Sequence, residues 1–295
     1  MSRLSVTTST ALTDAGLDPA AVEAVVAAAL AEDLALGPDV TTDAVVPEDA
    51  VGTGDVVPRA PGVLAGLPVA AAVLDVVGGG AVQVTLTGRD GEPVSPGQAV
   101  LTATGPLRSL LTAERTMLNL LGRLCGVATL TRTWVDAVAG TGAAIRDTRK
   151  TTPGLRALEK YAVRCGGGTN HRMGLGDEAL VKDNHVAAAG GVAAALAAVR
   201  AAAPGVPVEV ECDTVEQVRQ AVAAGATLVL LDNMTVEDMR AAVQVARAAG
   251  GVRLEASGGL RLQNARDVAA TGVDYLAVGS ITHSAPTLDL GFDLR

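Results

Sequence analysis

Three short apolar runs in the second half of the chain decide its fold: Val208–Cys212 (VEVEC), Thr227–Asn233 (TLVLLDN) and Val252–Ser257 (VRLEAS). Ala-rich stretches of helical length lie between them, at 214–224 and 236–249. Strand-length runs that alternate with helices are typical of βα units packed around a parallel sheet. The sequence therefore predicts an α/β fold for this half of the chain.

The same rhythm extends in both directions from these runs. Further strands are predicted at Ala143–Thr148, Ala179–Asn184 and Tyr275–Ser280, and further helices at 192–203 and 262–270. Six such units in about 140 residues favour a closed or nearly closed barrel. A doubly wound open sheet is the alternative, but no GxGxxG motif follows any of these strands.

The first half of the chain has a different character. A helix is predicted from Ala20 to Leu34, and a long helix or a pair of helices from Leu110 to Ala139 is expected to connect two domains. Between Val51 and Thr104, short alternating runs separated by Gly, Pro and Asp predict antiparallel strands. A lipoyl or biotinyl carrier domain is excluded because no lysine precedes Lys150.

Composition narrows the classes of function. The net charge of −9 argues against nucleic acid and against acidic membranes as partners. The longest apolar stretch, Ala20–Leu36, is interrupted by three acidic residues and is too charged for a membrane span. Three isolated cysteines fit a reducing compartment, and the first ten residues lack the apolar segment of a signal peptide. We therefore expect a cytoplasmic protein.

Polar residues gather at the carboxyl ends of the predicted strands, where barrel enzymes carry their active sites. These ends are Arg146–Thr148, Lys182–Asn184, Glu209–Glu211, Asp232–Asn233, Glu255–Ser257 and Gly279–Ser280. The alternative is that polar residues only mark where strands reach solvent. For the set as a whole, the sequence favours a functional site.

Basic residues are concentrated between positions 146 and 182. This window holds eight of the 23 basic residues and four acidic ones, so its formal charge is +4 in a chain of −9. Arginine binds carboxylate or phosphate groups with paired hydrogen bonds, so the window predicts a pocket for a small polyanion. Arg156 and Arg164 share one face of a helix, with Lys160 between them, and are expected to be partly structural. The better binding candidates are Arg149, Lys150, His171, Arg172 and Lys182.

Glycines and acids complete the predicted pocket. Ser257, Gly258 and Gly279 follow the last two strands, where backbone N–H groups commonly bind phosphate. Glu211 and Asp232 are predicted to bind Mg²⁺, directly or through water, or ribose hydroxyls. An inward acid paired with a nearby Arg or Lys is the alternative for either of them.

Several ordered motifs carry a resemblance to a known family. The most specific are Thr148–Arg156 (TRKTTPGLR), Glu159–Val163 (EKYAV), Asn170–Arg172 (NHR) and Val181–His185 (VKDNH). Others are Asp39–Thr42, Gly62–Gly66, Ala113–Thr116, Glu255–Gly259 and Thr282–Pro286. In these motifs the chain resembles the quinolinate phosphoribosyltransferases, also called nicotinate-nucleotide pyrophosphorylases (carboxylating).

The resemblance implies a fold and a reaction. The fold is an N-terminal α/β sandwich, residues 1–115 joined by the tail 285–295, and an incomplete TIM-like α/β barrel, residues 116–284. The reaction takes quinolinate and phosphoribosyl pyrophosphate with Mg²⁺ and yields nicotinate mononucleotide, pyrophosphate and CO₂, a step of de novo NAD biosynthesis. Family members are dimers or hexamers in which a neighbouring subunit completes the pocket.

The resemblance also implies roles for individual residues. Quinolinate carboxylates are expected to bind Arg149, His171 and Arg172, together with Arg115 from the neighbouring subunit. The expected catalytic residues are Lys150 and Lys182, which neutralise pyrophosphate, and Glu211 and Asp232, which hold ribose or Mg²⁺. The 5′-phosphate is expected at Ser257, Gly258 and Gly279, with His283 nearby.

Three other interpretations of the sequence stay open. A paralogous phosphoribosyltransferase could use nicotinate or another aromatic acid on the same scaffold. A Schiff-base aldolase would use Lys150 or Lys182 as its nucleophile. A phosphometabolite-binding module without catalysis is the third.

Overall fold

The computed structural model describes residues 3–295, which form two compact units. Unit 1 comprises the chain up to Arg132, Thr151–Gly167 and Thr282–Arg295, and unit 2 comprises Thr133–Lys150 and Gly168–Ile281. Compactness therefore groups residues 116–132 and 151–167 with the N-terminal part of the chain. The division at residue 115 that the sequence suggested stays a prediction.

Unit 1 is built on an antiparallel sheet. Its helices are α1 (Val6–Asp14), α2 (Pro19–Asp33), α3 (Val40–Val45), α4 (Leu67–Gly78), the first part of α5 (Leu107–Ala137), and α6 (Arg156–Cys165). Its strands are β1 (Val51–Pro58), β2 (Gly62–Val63), β3 (Gln83–Leu86), β4 (Pro93–Val94), β5 (Leu101–Pro106) and β12 (Leu290–Leu294). The main sheet has the order β12-β1-β5-β3, and β2 pairs with β4. Burial alternates along β5, as expected for a strand with one face on the core.

Helix α4 forms the centre of the unit 1 core. Every residue from Leu67 to Val76 is buried, because α4 contacts β3 and β5 as well as α1 and α2. The sheet, α4 and the two outer helices make the α/β sandwich that the sequence predicted. The sequence did not predict α4 itself, because a helix that is apolar on all sides shows no helical period.

The C-terminal tail packs against two glycines of α5. A Cβ atom at Gly126 would lie 2.0 Å from the Pro286 carbonyl oxygen, and one at Gly122 would lie 2.8 Å from that of Leu288. The backbone N–H of Leu288 donates to the carbonyl of Gly122 at 3.0 Å. Glycine at these two positions therefore lets the tail pass close to the helix and reach β1.

Unit 2 is an incomplete barrel of parallel strands. Its strands are β6 (Ala144–Arg146), β7 (Ala179–Val181), β8 (Val208–Cys212), β9 (Leu228–Asp232), β10 (Arg253–Ser257) and β11 (Tyr275–Ala277). Its helices are α7 (Asp183–Ala189), α8 (Val192–Ala202), α9 (Val215–Ala223), α10 (Val236–Ala249) and α11 (Leu262–Ala269), and α12 (Ser280–His283) begins in it. The sheet order is β6-β11-β10-β9-β8-β7, with every pairing parallel, and no ladder among the described residues joins β6 to β7. The incomplete TIM-like barrel is thus confirmed, and each predicted run contains a strand. Two of the runs extend too far, because β7 ends at Val181 before α7 begins at Asp183, and β11 ends at Ala277 before α12 begins at Ser280.

Threonine side chains cap the N-termini of two of the barrel helices. Thr214 accepts a hydrogen bond from the Gln217 N–H at the start of α9, and Thr235 accepts one from the Asp238 N–H at the start of α10. These caps satisfy N–H groups that have no partner within the helix. The caps mark where the loops after β8 and β9 end, and Glu211 and Asp232 lie in the strands that precede these loops.

In the part of the chain that the structure describes, no single helix is long and apolar enough to cross a membrane. The pair α7 and α8 meets the length and composition test only together, across a bend of 90°.

Candidate active site

A cavity of about 710 Å³ opens at the carboxyl ends of the unit 2 strands. Most of the site residues predicted from the sequence line it: Arg149, Lys150, His171, Arg172, Lys182, Glu211, Asp232, Ser257 and Gly258. They lie at the carboxyl ends of β8, β9 and β10 or in the segments that follow β6, β7 and β10. Because parallel strands place their carboxyl ends at one edge, residues far apart in the chain meet here.

Three predicted site residues do not line this cavity. Arg115 lies on α5 in unit 1, with 64% of its side chain exposed, and is 3.9 Å from Glu114. His283 is exposed in unit 1, where its Nδ1 lies 2.6 Å from the Ser284 hydroxyl. Gly279 follows β11 by two residues and lies beyond the lining residue Ala277. The substrate-binding roles of these three residues stay predictions.

Four cationic side chains line the cavity: Arg149, Lys150, Arg172 and Lys182. Arg149 and Lys150 come from the turn after β6, in which the Lys150 N–H donates to the Thr148 hydroxyl at 3.0 Å. Arg172 donates through Nη1 to the Glu178 carbonyl at 3.0 Å, which holds its guanidinium near β7. Lining groups of this type attract anions with carboxylate or phosphate groups.

Lys182 and Glu211 form an ion pair between the ends of β7 and β8. The Lys182 Nζ lies 2.5 Å from a Glu211 carboxylate oxygen, with side chains 46% and 12% exposed. This pair is the alternative that the sequence left open for an inward acid. Because Lys182 remains half exposed, it is still accessible to a ligand in the cavity.

His171, in the middle of the Asn-His-Arg motif, has protein contacts at its backbone N–H and at both ring nitrogens. Its backbone N–H donates to Asp147 Oδ1 at 2.8 Å, and its ring Nδ1 accepts the Arg172 backbone N–H at 2.7 Å. Its Nε2 lies 2.9 Å from Glu209 Oε2 and 3.4 Å from Glu255 Oε1. With Nδ1 as an acceptor, the ring proton lies on Nε2, the nitrogen nearer to the two glutamates.

A cluster of glutamates around one arginine includes two residues that line the cavity, His171 and Glu255. Glu209 and Glu255 are fully buried, and Arg146 Nη1 lies 2.5 Å from Glu255 Oε2. Glu178 is 4.0 Å from Arg146 Nη2. We call His171, Arg146, Glu178, Glu209 and Glu255 the acidic cluster, since carboxylates outnumber the guanidinium in it.

Charge crowding shifts the titration of this cluster. Burial, and then the negative charge of Glu209, raise the pKa of Glu255 from 4.5 to about 7. Burial and the charge of Glu209 also raise the pKa of Glu178. A buried cluster with excess negative charge lowers its energy by taking up a proton. The crowding therefore favours the protonated form of Glu255 in the cavity wall.

The acidic cluster differs from the predicted magnesium site. The ligand atoms of His171, Glu209 and Glu255 lie within 4.8 Å of one another, a spacing that a metal ion could use. However, Mg²⁺ prefers an all-oxygen shell to one with imidazole, so a set that includes His171 does not suit it. The two carboxylates of Glu211 and Asp232, which line the cavity on neighbouring strands, are the better donor set for Mg²⁺.

Sequence reasoning missed several residues of the site. Thr148, Asn233 and Glu255 line the cavity but were quoted only as strand ends, and Glu209 was noted only as a neighbour of Glu211. The available signal was an acid within an otherwise apolar strand run. Pairing partners such as Arg146 and Glu255 are 109 residues apart, so no local pattern reveals them.

The cationic helix face proved to be separate from the cavity. Arg156 donates to the Thr151 hydroxyl at 3.0 Å, Arg164 donates to the Ala15 carbonyl at 3.0 Å, and Lys160 is fully buried. All three residues belong to unit 1. Arg156 and Arg164 thus make the structural contacts expected of them.

Comparisons with known proteins agree over nearly the whole chain. Residues 39–125 match the family model "Quinolinate phosphoribosyl transferase, N-terminal domain", and residues 127–293 match the corresponding C-terminal domain. A nicotinate-nucleotide pyrophosphorylase [carboxylating] of Mycobacterium leprae is 58% identical over 90% of this chain and 94% of its own length. The Homo sapiens protein of the same name is 40% identical over 80% of both chains. The structure of the nicotinate-nucleotide pyrophosphorylase from Francisella tularensis superposes with a TM-score of 0.87 at 38% identity, covering 93% of this chain and 96% of that chain.

Proposed function

Because the chain belongs to the quinolinate phosphoribosyl transferase family, we propose that the unit 2 cavity joins quinolinate to the ribosyl group of phosphoribosyl pyrophosphate. The products are nicotinate mononucleotide, pyrophosphate and CO₂, and the reaction serves NAD biosynthesis. One observation carries this proposal: Arg149, Lys150, Arg172 and Lys182 line a single cavity together with Glu211 and Asp232. Such a cavity suits two polyanionic substrates held side by side.

Quinolinate has two carboxylates beside its ring nitrogen, and it requires a cationic end of the cavity. Arg149 and Arg172 line that end, and each guanidinium offers parallel donors to a carboxylate. We expect Arg115 to reach this end from a neighbouring subunit. With both carboxylates held, the ring nitrogen points at the anomeric carbon of the ribose.

His171 acts through Arg172 in this scheme. Its Nδ1 accepts the Arg172 N–H, and its Nε2 faces Glu209, so both ring nitrogens have protein partners. This arrangement differs from the direct carboxylate contact expected from the sequence. We therefore assign His171 the role of positioning the Arg172 backbone at the quinolinate end of the cavity.

Phosphoribosyl pyrophosphate occupies the other end. Lys150 and Lys182 neutralise the pyrophosphate and stabilise it as it leaves. Ser257 and Gly258 bind the 5′-phosphate, and the positive φ of Gly258, 80°, turns the backbone after β10 in a way that favours glycine. Gly279 and His283 are assigned to the same phosphate by family resemblance.

Glu211 and Asp232 serve the ribose and Mg²⁺. Both carboxylates line the cavity, and their strands β8 and β9 are neighbours, so the donors fit an ion that takes oxygen ligands and retains water. When bound, Mg²⁺ supplies positive charge to the pyrophosphate oxygens. The two carboxylates also favour the positive charge that develops at the anomeric carbon.

The bond changes require no protein base. The ring nitrogen forms a bond to the anomeric carbon as the bond to pyrophosphate breaks, with the bonding electrons leaving on the pyrophosphate oxygen. The ring nitrogen is then positively charged, so the carbon beside it can lose CO₂ and keep the electron pair. That carbon takes a proton from solvent. The side chains of the cavity act by orientation and by charge.

Two features support the predicted assembly and location. We propose a homo-oligomer, a dimer or a hexamer, because Arg115 is exposed and its family role is in a neighbour's pocket. We propose the cytoplasm because Cys125, Cys165 and Cys212 are unpaired, as is usual in a reducing compartment.

Product analysis tests the reaction. Purified protein is incubated with quinolinate, phosphoribosyl pyrophosphate and Mg²⁺, and mass spectrometry is used to detect nicotinate mononucleotide and CO₂. A parallel incubation replaces quinolinate with nicotinate. The proposal requires turnover with quinolinate, whereas turnover with nicotinate alone supports the paralogue and refutes the proposal. Binding of both substrates without product identifies a non-catalytic module.

A borohydride control addresses the aldolase alternative. Lys182 is already an ion-pair partner of Glu211, which does not suit an uncharged amine nucleophile. We therefore expect no borohydride-trapped adduct at Lys150 or Lys182 with carbonyl compounds. A trapped adduct at either lysine contradicts the phosphoribosyl transfer assignment.

A further inference from the structure

Asn233 has an unusual backbone conformation in the cavity wall. Among residues 3–295 it is the non-glycine residue with φ in the left-handed region, at 52°. Asparagine tolerates this region better than most residues, but the conformation persists only where surrounding contacts hold it. Asn233 directly follows β9 and lines the same cavity as Asp232.

The contacts of Asn233 connect two neighbouring strand ends. Its side-chain Nδ2 donates to Asp232 Oδ2 at 2.8 Å, at the end of β9. Its backbone N–H donates to the carbonyl of Ser257 at 2.9 Å, at the end of β10. One residue in the left-handed conformation therefore contacts both strand ends.

The Asn233 amide also explains the glycine at position 258. A Cβ atom on Gly258 would lie 2.2 Å from Asn233 Oδ1 and 2.5 Å from its Cγ, closer than any real contact. The amide thus occupies the space that a side chain at 258 would need. With Nδ2 on Asp232, the amide oxygen is the atom that faces Gly258, so the amide fits between the two groups in one orientation.

We propose that Asn233 is a positioning residue that sets the separation and orientation of the Asp232 carboxylate and the Ser257–Gly258 turn. This inference rests on the proposed function, in which Asp232 serves the ribose and Ser257 and Gly258 bind its 5′-phosphate. The two groups therefore hold opposite sides of one rigid ribose phosphate. Loss of the Asn233 contacts weakens phosphoribosyl pyrophosphate binding and leaves quinolinate binding intact.

Three substitutions at position 233 separate the backbone from the amide. Asn233→Gly keeps the left-handed conformation without strain but removes the amide. Asn233→Asp keeps the shape but replaces the donor to Asp232 with a second negative charge. Asn233→Ala removes the amide and is strained at φ 52°. The matched control for the amide-to-carboxylate change is Gln220→Glu, on the exposed surface of α9.

Kinetics and calorimetry on the full chain test the proposal. For Asn233→Gly, we expect the KM for phosphoribosyl pyrophosphate to rise roughly 10-fold, as for loss of one hydrogen bond to a charged group. For Asn233→Asp we expect a larger rise, and for quinolinate a change below about twofold in both variants. Gln220→Glu should leave both KM values unchanged. An Asn233→Gly enzyme with wild-type KM for phosphoribosyl pyrophosphate, or with equal rises for both substrates, overturns the proposal.

A double variant and a binding assay keep the test independent of folding and of turnover. The loss of phosphoribosyl pyrophosphate affinity caused by Gly258→Ala should be smaller in the Asn233→Gly background than in the wild type, because the amide that would meet the new Cβ is gone. An equal loss in both backgrounds would show that the Asn233 amide does not restrict position 258. If Asn233→Ala fails to fold, the result with Asn233→Gly still tests the proposal. Calorimetry with phosphoribosyl pyrophosphate alone, run beside the product assay with both substrates, distinguishes the two proposals. A wild type that binds phosphoribosyl pyrophosphate but forms no product when quinolinate and Mg²⁺ are also present refutes the proposed function, whereas unchanged binding by Asn233→Gly refutes this inference.

Discussion

Replacing Glu255 with glutamine should remove a destabilising charge whose effect grows with pH. Burial and the charge of Glu209 raise the pKa of Glu255 from 4.5 to about 7 in the folded chain. Between these two values the folded chain binds more protons than the unfolded chain. The free energy of unfolding therefore falls as pH rises through this window, and the loss is complete above pH 7. Glutamine cannot ionise, so the variant lacks this loss.

The size of the effect follows from the same two pKa values. Each unit of separation is worth about 1.4 kcal/mol, so a shift from 4.5 to about 7 corresponds to about 3 kcal/mol, most of it between pH 5 and pH 8. Glutamine has nearly the volume of glutamate, and its amide oxygen can still accept from Arg146. For a chain of this length, the stability difference corresponds to roughly 5 °C in Tm.

Thermal unfolding at pH 5, 6, 7 and 8, at one ionic strength, measures the effect. The Tm of Glu255→Gln minus that of the wild type should increase across this range. The control is Glu237→Gln, because the Glu237 side chain is 81% exposed and its difference curve should be flat. A flat curve for Glu255→Gln, or an equal rise in the control, would refute the account of the acidic cluster.

Three further substitutions test the cavity and the packing of the tail. Arg149→Ala should lower kcat/KM for quinolinate by the equivalent of about 2–5 kcal/mol, the cost of removing one partner of a buried charge pair; a loss below about threefold in steady-state assays contradicts its role. Lys182→Ala should weaken phosphoribosyl pyrophosphate binding more than quinolinate binding in calorimetry, and equal weakening overturns that division. Gly126→Ala should cost about 1–3 kcal/mol in stability because its Cβ would lie 2.0 Å from the Pro286 oxygen; an unchanged Tm would show that the tail can move away.

Local patterns were sufficient for the barrel because each element repeats a simple alternation. The run Val208–Cys212 is β8 in full, and the Ala-rich stretch 192–203 differs from α8 by one residue. Helix α4 could not be recognised, since its buried residues surround the helix. Helix α7 was also missed, because Asp183 and Asn184 were taken as the end of a strand. Hydrophobic periodicity predicts a helix when one face is polar and the other apolar. Neither α4 nor α7 shows this contrast between faces.

Residues at the cavity rim were predictable, whereas their partners were not. Topology alone brings Arg149, Lys182 and Asp232 to one edge, since each lies at or shortly after a strand end. The contact between Arg146 and Glu255 depends instead on β11 lying between β6 and β10. Strand order is a property of the whole barrel. Pairwise contacts below the rim therefore became visible only in the folded structure.

The pairing of Lys182 with Glu211 bears on how a cationic cavity releases its products. A polyanion that binds Lys182 must compete with the Glu211 carboxylate, which lies 2.5 Å from the lysine Nζ. Part of the electrostatic attraction between the polyanion and Lys182 is therefore offset on binding. In the proposed reaction, the same carboxylate pairs again with Lys182 when pyrophosphate leaves, which lowers the free-energy cost of release. Tight binding of ground state and product would not increase kcat, whereas stabilisation of charge that develops during bond breaking does. In the proposed reaction, the pairing of Glu211 with Lys182 thus favours release of the product over its retention in the cavity.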